Sequence, residues 1–221
     1  MLTCDHITKQ YGKFRALNDI SLSVSSGECL ALFGSNGSGK STLLSILAGS
    51  IPPDSGDVRL NDAPVSKSKR SIAYIPQNIV LFEELSVWEN LLSWSDAPGS
   101  QAKKQAEWLC DRFDMHEFKR KRVDRLSGGQ RRRVNIAVSF MNDFDYLLLD
   151  EPLSGVDLVG EKSLSELLAH YKQEGKGIII AEHHIQFVLP FADHILELKE
   201  GSVHFEGTPE AYYEMVQSIM V

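Results

Sequence analysis

The sequence predicts an α/β fold in which a mostly parallel sheet is covered by helices on both faces. Two observations lead to this expectation. Short apolar runs that suit buried strands alternate with stretches of helical periodicity, and a glycine-rich loop lies where one such run gives way to a helix. This alternation is typical of folds in which helices pack on both faces of a parallel sheet.

The N-terminal part predicts β structure, which we expect to be antiparallel. Between positions 20 and 25, apolar residues alternate with serines, which is the period of a strand with one buried face. The apolar run Cys29–Phe33 predicts a buried strand, and leucines at helical spacing predict a helix from about 41 to 48, stopped by Gly49. Further short strands are predicted at Val58–Leu60 and Ile72–Ile75.

Helical signals replace strand signals after Gln77. Ser86-Val-Trp-Glu89 is a capping box, and apolar residues follow at helical spacing from 102 to 113, with Pro98-Gly99-Ser100 separating the two helices. We therefore predict one domain over 1–221, with a helical subdomain at 78–135 inserted into an α/β core of 1–77 and 136–221.

The α/β pattern returns in the last third of the chain. Apolar residues at positions i, i+3, i+4 and i+7 between Leu164 and Tyr171 predict a helix that ends near Gly175. Predicted after it are a buried strand at 178–181, a hairpin at 195–205, and a final helix capped by Thr208 that runs to about Met220.

Composition limits the classes of function. The chain has 221 residues and a formal net charge of −7, so we expect no broad nucleic-acid surface. No apolar stretch approaches the roughly 20 residues that cross a bilayer, and we expect no N-terminal signal sequence. We expect a cytoplasmic protein with three scattered, reduced cysteines. Any activity of this protein at a membrane would need another polypeptide.

The glycine-rich loop predicts binding of a nucleoside triphosphate. It matches the phosphate-loop pattern G-x-x-x-x-G-K-[ST] and follows a predicted strand. Its backbone N–H groups are expected to surround the phosphates, Lys40 to contact the β- and γ-phosphates, and the Ser41 hydroxyl to ligate Mg²⁺. The predicted binding residues are Gly34, Ser35, Asn36, Gly37, Ser38, Gly39, Lys40, Ser41 and Thr42. The nucleotide should lie at the carboxyl ends of the strands.

Two further motifs carry a family resemblance. Leu126–Gln130 reads Leu-Ser-Gly-Gly-Gln, and the apolar run Tyr146–Leu149 ends in Asp150-Glu151-Pro152. With these motifs, nearly the whole chain closely resembles the ATP-binding subunits of ABC transporters. The resemblance implies a P-loop NTPase (RecA-like) core, with ATP and Mg²⁺ as the bound groups.

The resemblance also implies roles for two carboxylates and a glutamine. Asp150 would approach Mg²⁺ directly or through water, and Glu151 would be the general base for hydrolysis. Gln77 would contact Mg²⁺ and the attacking water while linking the site to the membrane partner. The alternative for Gln77 is an ordinary exposed loop residue.

The histidine that contacts the γ-phosphate in this family has two candidates here. His183 lies ten residues before Asp193, which matches the family's spacing, so we favour it over His184. Glu182 departs from the Ser or Thr that usually precedes this histidine. A neighbouring carboxylate of this kind is expected to raise the imidazole's pKa or fix its tautomer.

Three more sites follow from the resemblance. Tyr11 would stack on adenine, although a surface tyrosine in a hairpin is the alternative. Asp157 would belong to the family's D-loop, a role compatible with capping the next helix. The signature residues would act in trans, on ATP held by a second ATPase subunit in a head-to-tail pair, for which a homodimer is expected. They are Ser127, Gly128, Gly129 and Gln130.

The predicted function is that of an ATPase subunit that powers transport with a separate transmembrane permease, at the cytoplasmic face of the cell membrane. A soluble ABC-type ATPase in DNA repair, chromosome or ribosome work is the main alternative. A nucleotide sensor without turnover is the other alternative, which the intact Glu151 disfavours. The sequence does not indicate the cargo or the direction of transport.

Two further expectations concern an arginine run and an apolar segment at the surface. The run Arg131–Arg133 is expected to be solvated or to face phosphate. In the apolar segment that follows Gln77, Phe82 and Trp88 are expected to line a groove for a short permease helix, while Leu85, Leu91 and Leu92 pack internally. Complete burial of this segment is the alternative.

Overall fold

A computed structural model describes residues 1–67 and 71–219 of the chain. Within these ranges the strands form two sheets. The four-stranded sheet is antiparallel, in the order β2-β1-β4-β5, and consists of β1 (Leu2–Tyr11), β2 (Phe14–Val24), β4 (Ser55–Leu60) and β5 (Ala63–Pro64). The six-stranded sheet has the order β10-β9-β3-β8-β7-β6 and consists of β3 (Cys29–Phe33), β6 (Ile72–Ile75), β7 (Tyr146–Asp150), β8 (Gly177–Ala181), β9 (His194–Lys199) and β10 (Ser202–Gly207).

Five strands of the larger sheet are parallel, and β10 joins its edge through the hairpin with β9. The described helices are α1 (Lys40–Leu47), α2 (Val87–Ser93), α3 (Gly99–Arg112), α4 (Gly128–Val138), α5 (Leu158–Gln173), α6 (Ile185–Val188) and α7 (Pro209–Ile219). Short 3-10 turns lie at Val65–Lys67 and Val123–Arg125. The predicted α/β fold, with a mostly parallel sheet and an antiparallel N-terminal part, is confirmed.

The core lies on both faces of the six-stranded sheet. Alternate residues of each strand enter different apolar clusters: Leu147 and Leu149 pack on the side of α2 to α5, whereas Tyr146 and Leu148 pack on the side of α1 and the smaller sheet. A strand that is buried on both faces has no polar side to show. This is why β3, β7 and β8 appear in the sequence as continuous apolar runs.

The structure differs from the sequence prediction mainly in the first hairpin. β2 begins at Phe14, six residues before the predicted alternation, and all of β1 lacked a clear pattern. The pairing of β1 with β2 shifts register between Cys4 and Ile7, and His6 has a φ of 52°. An irregularity of this kind interrupts the two-residue alternation, so the strand leaves only a weak signal.

Other boundaries move by a few residues. The signature helix α4 begins at Gly128 and runs past position 135, where the sequence placed the end of the helical subdomain. The predicted end of the last helix at Met220 lies outside the described residues. The division into core and helical subdomain remains a prediction.

The lengths of the helices and the burial of the cysteines bear on two further expectations. No helix within residues 1–67 and 71–219 combines the length and apolar character needed to cross a membrane. Cys4, Cys29 and Cys110 are buried free thiols, and burial raises the pKa of Cys4 and Cys29 to about 12. These cysteines therefore behave as small apolar core residues.

Gly177 leaves no room for a side chain. A Cβ at this position would overlap Cε1 of Tyr146, whose buried hydroxyl donates to the Val24 carbonyl. We expect Gly177→Ala to lower the free energy of unfolding by about 1–3 kcal/mol, because the ring must shift in a packed core. Denaturant unfolding measures this loss.

Gly99→Ala is the matched control, because nothing lies within 4 Å of a Cβ at the first residue of α3. Its free energy of unfolding should stay within about 0.5 kcal/mol of the parent. Equal stability of the two variants would contradict the close packing of Tyr146 on Gly177.

Candidate functional site

The phosphate loop joins β3 to α1 and has a backbone that only glycine accommodates. Gly34, Gly37 and Gly39 have φ values of 140°, 80° and 111°. A Cβ on Gly34 would overlap the Leu198 carbonyl oxygen. No side chain caps the start of α1, so its first N–H groups are open to an anion.

Lys40 is buried within the loop that it serves. Its Nζ donates to the carbonyl oxygens of Gly34 at 2.7 Å and Ser35 at 3.2 Å. Burial lowers the pKa of the Lys40 ammonium, and the carboxylates of Glu151 and Asp150 oppose this effect. The ammonium is thus already positioned beside the open N-terminus of α1.

Ser41 and Asp150 form a pair of oxygen ligands that suits Mg²⁺. The Ser41 hydroxyl donates to Oδ1 of Asp150 at 3.0 Å, which joins the first turn of α1 to the end of β7. Asp150 is buried, and burial raises the pKa of its carboxyl group while the Ser41 hydrogen bond lowers it. A hydroxyl and a carboxylate oxygen at this separation fit the hard ligand set that Mg²⁺ prefers.

Glu151 brings together the three predicted catalytic residues. Gln77 Nε2 donates to one carboxylate oxygen at 2.5 Å, and His183 Nε2 lies 2.9 Å from the other. Glu151 has a φ of 46°, a left-handed conformation that is unusual for a residue other than glycine. Its own N–H donates to the carbonyl oxygen of Ala181 at 2.8 Å. Gln77 therefore contacts Glu151 here, rather than the pair of oxygens at Ser41 and Asp150.

The Glu182 carboxylate contacts the backbone of the loops around the site, and its expected effect on the imidazole remains a prediction. This buried carboxylate accepts from the N–H groups of His183 at 2.8 Å and Leu153 at 3.2 Å. It thereby ties the loop after β8 to the turn after β7. His184 also donates its N–H to this carboxylate, at 3.4 Å.

The expectation that Arg131–Arg133 is solvated or faces phosphate is wrong for two of the three residues. Arg132 is 2% exposed and Arg133 is 7% exposed. Consecutive residues of a helix point about 100° apart, so a run of three cannot share one solvated face. The sequence could have indicated this, because the same helix carries apolar residues that must face the core and some of the arginines must lie on that side.

The signature residues lie at the exposed start of α4. Ser127 Oγ accepts from the Gln130 N–H at 3.2 Å, and Gln130 Oε1 accepts from the Ser127 N–H at 3.1 Å, which completes a capping box. A Cβ on Gly128 would point into open space, whereas a Cβ on Gly129 would lie 3.0 Å from Asp157 Oδ2. The Asp157 side chain caps α5 by accepting from the N–H of the third residue of that helix. It also forms an ion pair with an arginine of α4 at 3.2 Å. Asp157 can therefore cap α5 and lie beside the signature at the same time.

A depression of about 300 Å³ lies over the phosphate loop. Its lining consists of Phe14, Ala16, Asn36, Gly37, Ser38, Gly39, Lys40, Ser41, Thr42, Gln77 and Glu151. Among the described residues that line it there is no signature residue. The signature residues of the chain therefore lie outside this depression.

The aromatic residue that lines this depression is Phe14, which the sequence analysis missed. Tyr11 pairs with Phe14 across the tip of the first hairpin and is 51% exposed, with Lys9 Nζ 5.7 Å from its ring centroid. The signal that could have indicated Phe14 was Gly12, a turn residue with an aromatic residue on each side of it at positions 11 and 14. Stacking of Tyr11 on adenine remains a prediction.

Comparison with known proteins finds relatives that are all ATP-binding proteins of transport systems. The sequence pattern of the ABC transporter family matches residues 17–154. The lipopolysaccharide export system ATP-binding protein LptB of Escherichia coli (strain K12) is 32% identical over 218 residues, which cover 94% of this chain and 90% of that protein. The spermidine/putrescine import ATP-binding protein PotA of Protochlamydia amoebophila (strain UWE25) is 36% identical over 224 residues, covering 98% of this chain and 60% of that protein.

A solved structure shows a similar fold. It is a dimeric ATP-binding cassette in a post-hydrolysis state with ADP and Pi bound. Its TM-score to this chain is 0.85 at 28% identity, covering 94% of this chain and 98% of that one. The fold of this chain is therefore that of the P-loop NTPases.

The two adjacent histidines differ in their contacts, and this difference generates a prediction. His183 Nε2 lies 2.9 Å from Glu151, whereas His184 is the N-cap residue of the short helix α6. We expect His183→Ala to lower kcat for ATP hydrolysis by about 10²-fold, because a hydrogen-bonding group is lost from the reacting centre. His184→Ala should retain most of the activity. A phosphate-release assay on both variants measures this, and the reverse ranking would show that His184 is the functional residue.

Proposed function

Since the chain belongs to the ABC transporter family and is an ATP-hydrolysing subunit that powers transport, we propose that it works with Mg²⁺, as half of a head-to-tail dimer, on a separate transmembrane permease. One observation carries the chemical part of this proposal. Gln77 and His183 hold the two oxygens of the Glu151 carboxylate beside the phosphate loop. The family's soluble repair, chromosome and ribosome ATPases are not favoured by the relatives.

Glu151 is proposed as the general base. Its carboxylate takes a proton from the water that attacks the γ-phosphorus atom, while Gln77 orients that water. His183 donates a hydrogen bond to the γ-phosphate as charge develops there. Ser41 and Asp150 would hold Mg²⁺, which would supply positive charge beside the phosphates. Gln77 would join them if its amide exchanged Glu151 for the metal.

ATP is proposed to bind along the depression over the phosphate loop. The open N–H groups of residues 34–42 and the buried Lys40 ammonium supply the phosphate contacts. Tyr11 at the hairpin tip is proposed to stack on adenine, with Phe14 as its neighbour on the same hairpin. Both rings are more than half exposed, so they offer faces to a base.

A second subunit is proposed to complete each site, and a homodimer is the simplest closed arrangement. The exposed capping box of Ser127, Gly128, Gly129 and Gln130 directs the N-terminus of α4 outwards, where it suits the γ-phosphate of ATP on the partner. Asp157 lies against Gly129 and belongs to the same surface. One solved relative is itself dimeric with ADP and Pi bound.

The membrane partner is proposed to dock on the apolar surface formed by Ile79, Val80, Phe82 and Trp94, all of which are more than a third exposed. The backbone of Phe82 is fixed by two hydrogen bonds with the buried Asn90 side chain, although its ring is 51% exposed. Trp94 lies 6.3 Å from that ring. A ring held outward by a fixed backbone suits a short cytoplasmic helix of the permease.

Trp88 does not take the position that the sequence analysis favoured. It packs against the core and under Lys119, whose Nζ lies 5.5 Å from its ring centroid, so Trp94 replaces it beside Phe82. Leu91 and Leu92 pack against the core as expected. We propose that 78–135 moves as a helical subdomain against the core of 1–77 and 136–221 when the partner binds.

The proposed location is peripheral, on the cytoplasmic face of the cell membrane. The two named relatives serve lipopolysaccharide export in one case and spermidine or putrescine import in the other. The same ATPase fold therefore occurs with opposite directions of transport. We propose that the permease of this system selects the cargo and the direction.

The general-base role is tested by Glu151→Gln. We expect kcat to fall by about 10²–10⁴-fold with ATP binding retained, because the variant keeps the size of the side chain and loses the base. With ATP it should accumulate as a dimer on size-exclusion chromatography. Lys40→Ala is the contrasting variant, since it should weaken binding of a fluorescent ATP analogue directly. Near-normal steady-state hydrolysis by Glu151→Gln would exclude Glu151 as the base.

The docking surface is tested by Phe82→Ser. We expect reduced association with permease-containing membranes and reduced transport, because the central apolar ring of the surface is lost. The unfolding temperature and basal ATPase rate should stay close to the parent, since the hydrogen bonds between Asn90 and Phe82 use the backbone of Phe82 and not its ring. Tyr213→Ser, which removes another exposed ring from α7, is the control. Unfolding of the isolated Phe82→Ser protein would instead identify Phe82 as core.

A further inference from the structure

A buried arginine lies beneath the two segments that carry Gln77 and Glu151. Arg132 is on α4, two residues after the signature, and it is 2% exposed. Nη2 donates to the Glu151 carbonyl oxygen at 2.9 Å, and Nε donates to the Pro152 carbonyl oxygen at 3.3 Å. The same guanidinium thus holds both peptide units of the turn that follows β7.

The other end of the guanidinium holds the segment that follows β6. Nη1 donates to the carbonyl oxygens of Gln77 at 2.8 Å and Pro76 at 3.2 Å. Two segments far apart in sequence are therefore fixed by one planar group. Their side chains then meet above it, where Gln77 Nε2 donates to the Glu151 carboxylate.

The turn at Glu151 needs this kind of support. A left-handed conformation at a residue with a side chain costs on the order of 1–3 kcal/mol and persists only when its surroundings impose it. Three groups impose it here. Arg132 holds the carbonyls of Glu151 and Pro152, the Glu182 carboxylate holds the Leu153 N–H, and Ala181 accepts from the Glu151 N–H.

Only an arginine suits this position among the basic residues. Its three nitrogens reach four carbonyl oxygens, whereas a lysine ammonium is a single point with three donors. Burial lowers the pKa of Arg132, and the nearby carboxylates of Asp150 and Glu182 oppose this. Burying the guanidinium costs solvation free energy, and the hydrogen bonds to the four carbonyl oxygens offset that cost.

We infer that Arg132 is a positioning residue for ATP hydrolysis, which sets the relative placement of Glu151 and Gln77 through their backbone carbonyls. Because Arg132 belongs to the helix that begins with the signature, that placement depends on the position of α4. A displacement of α4 changes the hydrolytic geometry without any contact between Arg132 and the nucleotide. The inference rests on the proposed roles of Glu151 and Gln77.

The test compares Arg132→Gln, Arg132→Lys and the parent in steady-state ATP hydrolysis and in binding of a fluorescent ATP analogue. We expect Arg132→Gln to lower kcat by roughly 10–100-fold, because small misplacements of reacting groups have effects of this size. The KM for ATP and the analogue's Kd should change less than threefold, about 0.65 kcal/mol or less. Arg132→Lys should recover part of kcat, since it restores the charge but only part of the fork.

Arg131→Gln is the matched control. It removes the same charge from the neighbouring residue of α4, whose guanidinium contacts the Val123 carbonyl and Glu83 instead. Its kcat should stay near that of the parent. Thermal unfolding of every variant separates lost activity from lost folded protein, and Arg132→Lys carries the test if Arg132→Gln does not fold.

Three results would overturn the inference. They are a parental kcat in a folded Arg132 variant, a fall in kcat that only matches the loss of folded protein, and a rise in KM as large as the fall in kcat. Loss of hydrolysis in Glu151→Gln together with any of these refutes the inference and leaves the proposed function standing. Retained hydrolysis in Glu151→Gln refutes the proposed role of Glu151 instead.

Discussion

The register of the three central parallel strands fixes the geometry of the whole site. Asp150 of β7 pairs with Ala181 of β8, and Leu32 of β3 pairs with the same Ala181. The chain therefore leaves all three strands at one level, which places the phosphate loop, Glu151 and the Glu182–His183 loop side by side. A slip of one residue would turn each apolar strand over and move Asp150 away from Ser41. The packing that excludes such a slip thus also aligns the ligands and the base.

Buried charges of both signs are collected under this edge. Lys40 and Arg132 carry positive charge, and Asp150 and Glu182 carry negative charge, with each side chain no more than 5% exposed. Each of the four has hydrogen bonds to the backbone or to a hydroxyl group. Breaking a single contact of such a group is costly, because it leaves a buried charge without its partner. The loops that must keep hydrolytic geometry are the ones these charges hold.

Sequence reasoning was most successful where the chemistry lies within one contiguous stretch. The phosphate loop and the capping box at Ser86 each have their own partners within a few residues, so local spacing was enough to predict them. The fold class followed from strands buried on both faces. The first hairpin was harder to place, because the irregularity at His6 breaks its alternation.

Contacts between distant segments left little or no signal in the sequence. The burial of Arg132 depends on what packs around α4, and the contact of Glu182 with Leu153 depends on the ends of β7 and β8 being level. Trp94 and not Trp88 lies beside Phe82, because Trp88 packs under Lys119, which is distant in sequence. In each case the residue type was visible, whereas its neighbours were set by tertiary packing.

The support of the phosphate loop has a consequence for the order in which the chain can mature. β3 pairs with β8 and β9, and the Gly201 N–H donates to the Ser38 carbonyl oxygen at 3.1 Å. β8, β9 and Gly201 are all translated long after the loop itself. A nascent chain that ends before β8 holds the complete phosphate-loop motif but lacks both strands that flank β3. During synthesis on the ribosome, the nucleotide cradle therefore forms among the last parts of the domain, although its residues emerge among the first.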